Sequence, residues 1–404
     1  MSGCGTNHVP RARPITRGPA YHWFGYYDKL AFDPKERYVL GAEVDFEGRH
    51  PGTTDAIRVG MVDIADGDRW IELGHSTAWN WQQGCMLQWL PGDLSRVAWN
   101  DHDDGALVTR LLDLDGAQQP TTLSRPICCI APDGSFALSI DFTRVATFRP
   151  GYGYQVFRSP RTSRPVPDDD GIWRIDLGTG QSRLLLSIAA ADAVGPPRER
   201  WDQSLRHWLY HALVSPSGAR MAFLHCAARG DGRYAARLMT ATVDGRDIRE
   251  INPGGRVSHF CWRDADTLLA WARGPGFGAG FHLFGDREPT RERVGDGAML
   301  EDGHCTYLDD RRWILCDTYP GILGYQTPYL FDTETQLKHR LGSFFAPAAY
   351  RGPHRCDLHP RGSPTGRLVA LDSAHAGGRQ MYLLDVSPLL DASAEPDASA
   401  AERS

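Results

Sequence analysis

Four histidines occupy the same position in four successive segments of the chain. Each stands five residues before a turn proline or the aspartate that replaces it, and the four are His211, His259, His304 and His359. Equivalent positions of a repeat converge on its axis, where imidazoles can bind a divalent metal or contact an anion. Any one of them alone would more simply be a hydrogen-bonded structural histidine. The shared spacing is therefore what predicts a site.

The identity of the ligand at this site stays open. Cys356, three residues before His359, is a further candidate metal ligand. The ligands would come from separate repeats, and no HxH or HExxH motif is present. One zinc or manganese ion and an anionic ligand are both compatible with the pattern, and nothing indicates an organic cofactor.

Further polar and aromatic residues fall on the same rim. Polar side chains close the second strand of several repeats: Asn100, Asp101, His102, Asp141, His225, Asp317, Asp372 and Ser373. The segments His22–Asp28 (HWFGYYD) and Trp79–Cys85 (WNWQQGC) precede first strands, where exposed rings would suit stacking on sugar faces. The loop Arg149–Tyr154 (RPGYGY) has glycines for tight turns and tyrosines that can reach over the axis.

Seven repeated hairpin pairs must position these residues. Short apolar runs flank tight turns in hairpins that begin at Phe32, Leu90, Ala131, Ser215, Trp262, Leu308 and Ser363. A second hairpin follows each of them, beginning at Val62, Leu111, Trp173, Ala241, His282, Tyr329 and Tyr382. Two hairpins make a four-stranded antiparallel sheet that cannot bury both faces alone. The sequence thus predicts an all-β, single-domain, seven-bladed β-propeller.

The boundaries of the predicted propeller follow from the same pattern. We expect a flexible tail over 1–14, the propeller over 15–390, and a disordered tail over 391–404, which is small, polar and unpatterned. The segment Ile15–Tyr21 should supply the missing outer strand of the last blade. The third blade should carry insertions at 143–170 and 189–206.

Composition excludes several classes of partner. The chain has 404 residues with 44 basic and 50 acidic side chains, a net charge of −6, and no long basic run, so nucleic acid is not an expected partner. No apolar stretch is long enough for a membrane span or signal peptide. The nine cysteines are scattered, which favours a reducing compartment. We expect a cytoplasmic monomer.

Several motifs resemble a known family. The segments HWFGYYDK, AWNWQQGCMLQW, RPGYGY, the stretch from Asp302 through DTYP at Asp317–Pro320, RCDLHPR and DSAHAGGRQMY are similar to those of seven-bladed β-propeller polysaccharide lyases, which include oligogalacturonate, ulvan and rhamnosyl-glucuronate lyases. The resemblance spans about residues 20–388. It implies cleavage of an acidic oligosaccharide or polysaccharide by β-elimination at a uronic acid.

The resemblance also implies roles for individual residues. His102 and Tyr152 would act as the acid and base, and Tyr154 is the alternative to Tyr152. Arg149 and His211 would neutralise the substrate carboxylate. Metal ligands would be His259, His304, His359 and Cys356. Substrate contacts would come from His22, Trp23, Tyr26, Trp81, Gln82, Gln83, Asn100, His225, Arg355, His375 and Arg379.

Two other function classes compete with a lyase. One branch of the resembling group suggests a glycoside hydrolase, rhamnosidase-like and centred on His22, although no paired-carboxylate spacing is evident. A propeller that binds carbohydrate without catalysis is the third possibility, because fold does not fix function.

Overall fold

A computed structural model describes residues 9–93, 95–116, 119–157, 160–195, 204–228, 234–253 and 255–394. Seven four-stranded antiparallel sheets follow one another along the chain. The prediction of a seven-bladed propeller is confirmed. Hydrophobic side chains of neighbouring blades form the core between the sheets.

The strands are assigned to the blades in chain order. The first strand, β1 (Arg13–Pro14), belongs to the last blade. Blade one holds β2 (Tyr21–Trp23), β3 (Tyr38–Val44), β4 (Ile57–Asp63) and β5 (Arg69–Ser76). Blade two holds β6 (Gln88–Trp89), β7 (Arg96–Asp103), β8 (Ala106–Asp113) and β9 (Thr121–Leu123). Blade three holds β10 (Cys129–Ile130), β11 (Phe136–Ser139), β12 (Gly171–Asp176) and β13 (Ser182–Ser187).

The second half of the chain continues the pattern. Blade four holds β14 (Arg206–Val214), β15 (Arg220–Ala228), β16 (Tyr234–Thr242) and β17 (Arg249–Glu250). Blade five holds β18 (Arg256–Trp262), β19 (Thr267–Gly274), β20 (Phe277–Gly285) and β21 (Arg291–Arg293). Blade six holds β22 (Thr306–Tyr307), β23 (Trp313–Cys316), β25 (Tyr329–Asp332) and β26 (Lys338–Arg340), with an added pair, β24 (Tyr325–Gln326) and β27 (Phe344–Phe345). Blade seven holds β28 (Arg361–Gly362), β29 (Leu368–Ser373) and β30 (Gln380–Asp385).

The N-terminal segment closes the ring, as expected, but slightly upstream of the predicted residues. Strand β1 pairs antiparallel with β30, with Pro14 opposite Tyr382. Ile15 adds a backbone hydrogen bond of 2.9 Å to the carbonyl of Met381. The closing strand therefore lies before Ile15–Tyr21, and residues 13–14 of the predicted flexible tail are part of the last blade.

Short helices replace part of the predicted loops and tail. Helix α1 (Phe142–Phe148) opens the first insertion of blade three, and Asp141 caps its N-terminus by accepting from two backbone amides. Helix α2 (Ile188–Asp192) begins the second insertion, of which 196–203 lie outside the described residues. Helix α3 (Ser387–Ala394) covers the start of the predicted C-terminal tail, and 395–404 lie outside the described residues. Within the described ranges, no helix has the length and apolar character that a membrane crossing requires.

Candidate active site

Four histidines from four consecutive blades surround Tyr27 at the centre of the propeller. The Tyr27 ring centroid lies 5.3 to 6.2 Å from the imidazole centroids of His211, His259, His304 and His359. His304 is the nearest neighbour of two others, at 4.3 Å from His259 and 4.1 Å from His359. The shared sequence register therefore brings the four imidazoles together on one face, as predicted.

Irregular backbone aims these side chains into the centre. The pairing of β14 with β15 shifts register between Tyr210 and Leu213, around His211, and that of β18 with β19 shifts around His259. His211 and His359 have φ of 52° and 43°, the left-handed region that non-glycine residues rarely adopt. Bulges and such strained residues redirect side chains and concentrate at functional sites.

Carboxylates fix the orientation of two of the rings. Asp302 Oδ1 lies 2.9 Å from Nδ1 of His259, and Asp28 Oδ2 lies 3.1 Å from Nε2 of His211. A carboxylate acceptor keeps the proton on the nitrogen that faces it, which leaves the other nitrogen of the ring as a lone-pair donor. His259 Nε2, 3.5 Å from the hydroxyl of Tyr319, is thus set up as a base.

The same arrangement orients His304. Its Nδ1 lies 2.9 Å from Asp317, which also accepts the backbone amides of His304 and His359 at 2.8 and 3.2 Å. Burial lowers the pKa of both His304 and His359 well below the ordinary value, so both imidazoles are neutral. Burial raises the pKa of Asp317 to about 7, so above that pH the ionised carboxylate holds the proton on Nδ1 and His304 Nε2 offers its lone pair to the centre of the site.

Two of the neutral histidines and an aspartate form a metal-type cluster. Ligand atoms of His304, Asp357 and His359 all lie within 4.8 Å of one another, and all three residues are buried. Asp357 Oδ1 is buried and has no hydrogen-bond partner, whereas its Oδ2 accepts from Arg355 Nε at 2.7 Å. Two imidazoles and a carboxylate with an unpartnered oxygen fit a zinc or manganese ion.

Cys356 lies outside this cluster, and Asp357 takes the place that the sequence analysis gave to it. Among the described residues, the cluster takes its ligand atoms from Asp357 and His359 of this segment and does not include Cys356. Cys356 is 4% exposed, and burial raises the pKa of its thiol to about 12. The two-residue spacing of Asp357 and His359 was the sequence signal that could have found this ligand.

Arg355 links the cluster to the blade-three insertion. Its Nη2 donates a 2.5 Å hydrogen bond to the hydroxyl of Tyr152, so the predicted tyrosine does reach the centre. Tyr319, which lies in the resembling DTYP segment but had no role predicted from the sequence, places its hydroxyl 3.5 Å from Nε2 of both His259 and His304. Burial raises the pKa of Tyr319 well above its usual value, so this hydroxyl keeps its proton.

Of the residues predicted to act together with Tyr152, Arg149 contacts it and His102 does not. The guanidinium of Arg149 stacks on Tyr152, with its carbon 3.8 Å from the ring centroid. His102, near the end of β7, packs on Phe157 at 5.7 Å, and no hydrogen bond or ring contact joins it to Arg149 or Tyr152 within the described ranges. Tyr154 is fully buried and hydrogen bonds to Asn100 at 2.9 Å, a structural role for both residues.

The aromatic side chains of the segments His22–Asp28 and Trp79–Cys85 are buried in the core and do not form an exposed surface for stacking on sugars. Trp23 packs on Trp81 at 5.1 Å, and their exposed fractions are 0% and 3%. Tyr26 is buried and hydrogen bonds to the hydroxyl of Tyr210 at 3.1 Å. Burial of a large aromatic ring between blades contributes much free energy to folding. These rings therefore lie in the core and not on the exposed rim.

Three other predicted substrate residues, Gln82, Gln83 and Arg379, support the site from outside, and a fourth, His375, does not. Gln82 donates to the Arg355 carbonyl at 2.8 Å, and Arg379 donates to the same carbonyl at 3.3 Å. Gln83 donates to the hydroxyl of Tyr210 at 3.2 Å. His375, in the turn between β29 and β30, bonds instead to Ser373. The two glutamines and Arg379 thus position backbone and tyrosine groups around the centre.

His22 and His225 are both buried in polar networks away from the ring. His22 contacts Glu43 at 2.8 Å and Gln380 at 3.1 Å. His225 accepts from Arg237 Nε at 3.0 Å through Nδ1, so in its neutral form Nε2 must carry the proton. Although His225 lies in a second His/Asp cluster with metal-like spacing, this tautomer has no Nε2 lone pair for an ion.

Buried His225 should make stability depend on pH. Burial and the Arg237 charge lower the pKa of His225 well below 6.5, so unfolding at mildly acidic pH takes up a proton that the folded chain does not hold. Its contribution to stability is present above pH 6.5 and is lost as pH falls below it. We expect denaturation midpoints to drop between pH 7.5 and 5.5, and His225→Gln to reduce that slope by up to about 1.4 kcal/mol per pH unit. An unchanged slope would contradict the assignment.

A cleft opens beside Tyr152, between blade one and the insertion. Its water-accessible volume is about 20 Å³, which is room for roughly one water molecule. Polar groups converge on it from His50, Thr77, Asn80, Tyr152 and Gln155.

The fold and the central cluster define a seven-bladed propeller with a His/Asp site on its axis. No protein-family model and no curated protein matches the sequence. The chain is similar to a crystal structure of oligogalacturonate lyase from Vibrio parahaemolyticus, at 14% identity over 94% of this chain and 95% of that one, with a TM-score of 0.66.

Two further solved structures share this architecture. An oligogalacturonate lyase in complex with manganese is 15% identical over 93% of both chains, with a TM-score of 0.65. The β-propeller domain of the Trilobed protease from Pyrococcus furiosus has a TM-score of 0.51 at 9% identity, covering 90% of this chain and 96% of that one. The predicted likeness to the propeller lyases is confirmed at the level of the fold.

Proposed function

We propose that this chain is a lyase that cleaves an acidic saccharide by β-elimination next to a uronic acid. The observation that carries the proposal is the His259–Asp302 pair, whose free Nε2 lies beside Tyr319 and next to the His304, Asp357 and His359 cluster. A base, a proton donor and a group that neutralises a carboxylate are the three requirements of this elimination.

Residues of this chain can accept and donate every proton that moves in the reaction. His259 Nε2 takes the C5 proton of the uronate, the C4–O4 bond breaks, and a double bond forms between C4 and C5. The Tyr319 hydroxyl gives its proton to the departing O4 and recovers one from the His259 imidazolium 3.5 Å away. Arg355 adds positive charge at the edge of the site and orients Asp357.

A divalent ion fits the cluster. If bound by His304, Asp357 and His359, it would neutralise the uronate carboxylate as a Lewis acid. The oligogalacturonate lyase in complex with manganese supports manganese as the first ion to test. Cytoplasmic location and a monomeric state stay predictions from the sequence.

Metal content separates the two neighbouring candidate ligands. We expect Asp357→Asn to lower manganese or zinc affinity by about 10-fold or more, because it removes the charged ligand, while Cys356→Ser leaves affinity unchanged. Calorimetric titration of metal-free protein with each ion measures both. Loss of binding in Cys356→Ser but not in Asp357→Asn would contradict the cluster.

A panel of uronate-containing oligosaccharides tests the activity. β-Elimination creates a conjugated unsaturated product, so near-ultraviolet absorbance should rise with one or more galacturonate or glucuronate substrates. Reducing sugar released without new absorbance would instead indicate a glycoside hydrolase. Binding without any turnover would indicate a carbohydrate-binding propeller.

A further inference from the structure

Blade six carries an added two-stranded ribbon at the face where the four histidines meet. The ribbon consists of β24 and β27, which pair antiparallel with Tyr325 opposite Phe345. Strand β24 lies in the segment 318–327, which connects β23 to β25 and begins directly after Asp317, a contact of His304. The ribbon therefore stands beside the candidate active site.

The two faces of the ribbon differ in burial. Gln326 and Phe344 form its second cross-strand pair, and both are buried, with the Phe344 ring 5.0 Å from that of His375. Tyr325 and Phe345 point to the other side, where they are 48% and 44% exposed and their ring centroids lie 5.5 Å apart. One face thus packs on the propeller, and the other presents two adjacent aromatic rings.

The outer face of the ribbon is apolar and uncharged. Ile322 and Leu323, in the turn of the same segment, are also exposed. Neither 318–327 nor 341–350 contains a charged side chain, although 23% of the whole chain is charged. Contiguous exposed apolar surface marks a site of interaction. Aromatic rings without neighbouring charges suit the apolar C–H face of a sugar ring better than an acidic group.

Backbone hydrogen bonds hold these rings at a fixed place relative to Tyr319. The amide of Gly321 donates to the carbonyl of Tyr325 at 3.0 Å. The amide of Ala346, in the other strand, donates to the carbonyl of Gly324 at 2.7 Å. Gly321 follows Tyr319 by two residues, which span at most about 7 Å, so the backbones of Tyr319 and Tyr325 lie within about 10 Å of each other. A short oligosaccharide can extend over this distance.

Tyr319 determines which part of a substrate extends toward the ribbon. In the proposed elimination its hydroxyl protonates the departing O4, so Tyr319 lies on the side of the leaving saccharide. We propose that the outer face of the ribbon binds this leaving saccharide by stacking of Tyr325 and Phe345 on its sugar rings. The inference rests on the proposed function for the side on which Tyr319 acts. It makes the ribbon a specificity element for longer saccharides, through a contact that needs no charge on the stacked sugar.

Paired oligosaccharides of different length test the inference by calorimetry. The probes are trigalacturonate against digalacturonate, and a glucuronate-containing tetrasaccharide against the disaccharide of the same repeat. The full-length chain carries His259→Ala so that no ligand is consumed. We expect the longer member of at least one pair to bind about 3–10-fold more tightly, as a ring-stacking contact contributes. Tyr325→Ala should abolish that gain and keep the affinity for the shorter member.

Matched variants separate stacking from folding of the ribbon. Tyr325→Phe keeps the ring and should keep the gain, because stacking does not need the hydroxyl. Leu337 is also a large apolar residue of blade six and is 56% exposed, but it follows the end of β25 whereas the ribbon segment precedes its start. Leu337→Ala should therefore keep the gain. If Tyr325→Ala weakens both members of a pair equally or leaves the gain intact, or if no pair shows a gain, the inference is overturned.

A second copy of the chain is the other occupant to test on this apolar face. Light scattering over a range of protein concentrations measures the molecular mass of the wild-type protein and of Tyr325→Ala. We expect both to have the mass of one chain. A wild-type dimer that Tyr325→Ala dissociates would show that the face joins two copies, and would overturn the inference.

Failure of the inference and failure of the lyase assignment give different results. A gain with length that requires Tyr325, without any unsaturated product from wild-type protein, would keep the stacking surface and remove the elimination. Unsaturated product together with a gain that Tyr325→Ala leaves unchanged would keep the elimination and remove the stacking surface.

Discussion

Replacing His259 with alanine should lower turnover of a responsive uronate saccharide by about 10²–10⁴-fold while the propeller stays folded, because general-base groups contribute that much. Asp302→Asn should lower it by a comparable factor, because an asparagine amide can donate to Nδ1 and so leave the proton on Nε2, where the base is needed. Initial rates from near-ultraviolet absorbance measure both variants, and thermal unfolding confirms that each is folded.

Two kinds of control variant are needed to interpret the loss of turnover in His259→Ala. His75 lies on the outer strand β5 with its side chain 62% exposed, so His75→Ala should retain full activity. The sequence resemblance instead assigns the acid–base role to His102, and the hydrolase alternative to His22. If His102→Ala or His22→Ala abolishes turnover and His259→Ala does not, the base lies elsewhere and the proposed mechanism is wrong.

Asp372→Ala should destabilise the chain by about 3–5 kcal/mol, because it leaves a buried guanidinium without its partner. Asp372 makes a two-pronged ion pair with Arg361 at 2.9 and 3.1 Å, and the two side chains are 2% and 1% exposed. The same carboxylate accepts the backbone amides of Phe24 and Gly25 at 3.1 and 3.3 Å. It thus joins blade seven to the segment that carries Tyr27.

Chemical denaturation at pH 7.5 measures the loss for Asp372→Ala. The matched control is Asp391→Ala, which breaks an exposed pair with Arg367 at 2.8 Å and should leave the midpoint unchanged. Similar midpoints for the two variants would show that the buried pair does not hold the blades together. A loss of stability with Asp372→Ala should also lower activity, since Tyr27 packs against all four ring histidines.

The repeat pattern predicted the propeller architecture because each hairpin is formed by residues that are close together in the sequence. Hairpins need only neighbouring residues, a turn and alternating apolar side chains, so seven pairs of them could be counted from the sequence. The histidine register was readable for the same reason, since equivalent positions of successive blades occupy equivalent places around the axis. The closing strand is formed by Arg13–Pro14 and not by the predicted Ile15–Tyr21. Its exact residues could not be read from the sequence because its partner, β30, lies at the other end of the chain.

Other features depended on contacts between distant residues. Exposure of Trp23 and Trp81 is decided by how blade one packs on blade two, which their aromatic type does not reveal. The partners of His102 depend on where the blade-three insertion folds, and it brings Phe157 there while placing Tyr152 on Arg355.

The sequence by itself determined the blade count, the antiparallel strand order and the ring of His211, His259, His304 and His359, because each follows from short-range periodicity. Only the tertiary structure decided that Asp357 joins this ring, that Tyr319 reaches His259, and that three tyrosine rings contact Arg149. These groups come from different blades and loops. Their chemistry depends on distances across the axis, and no spacing along the chain records such distances.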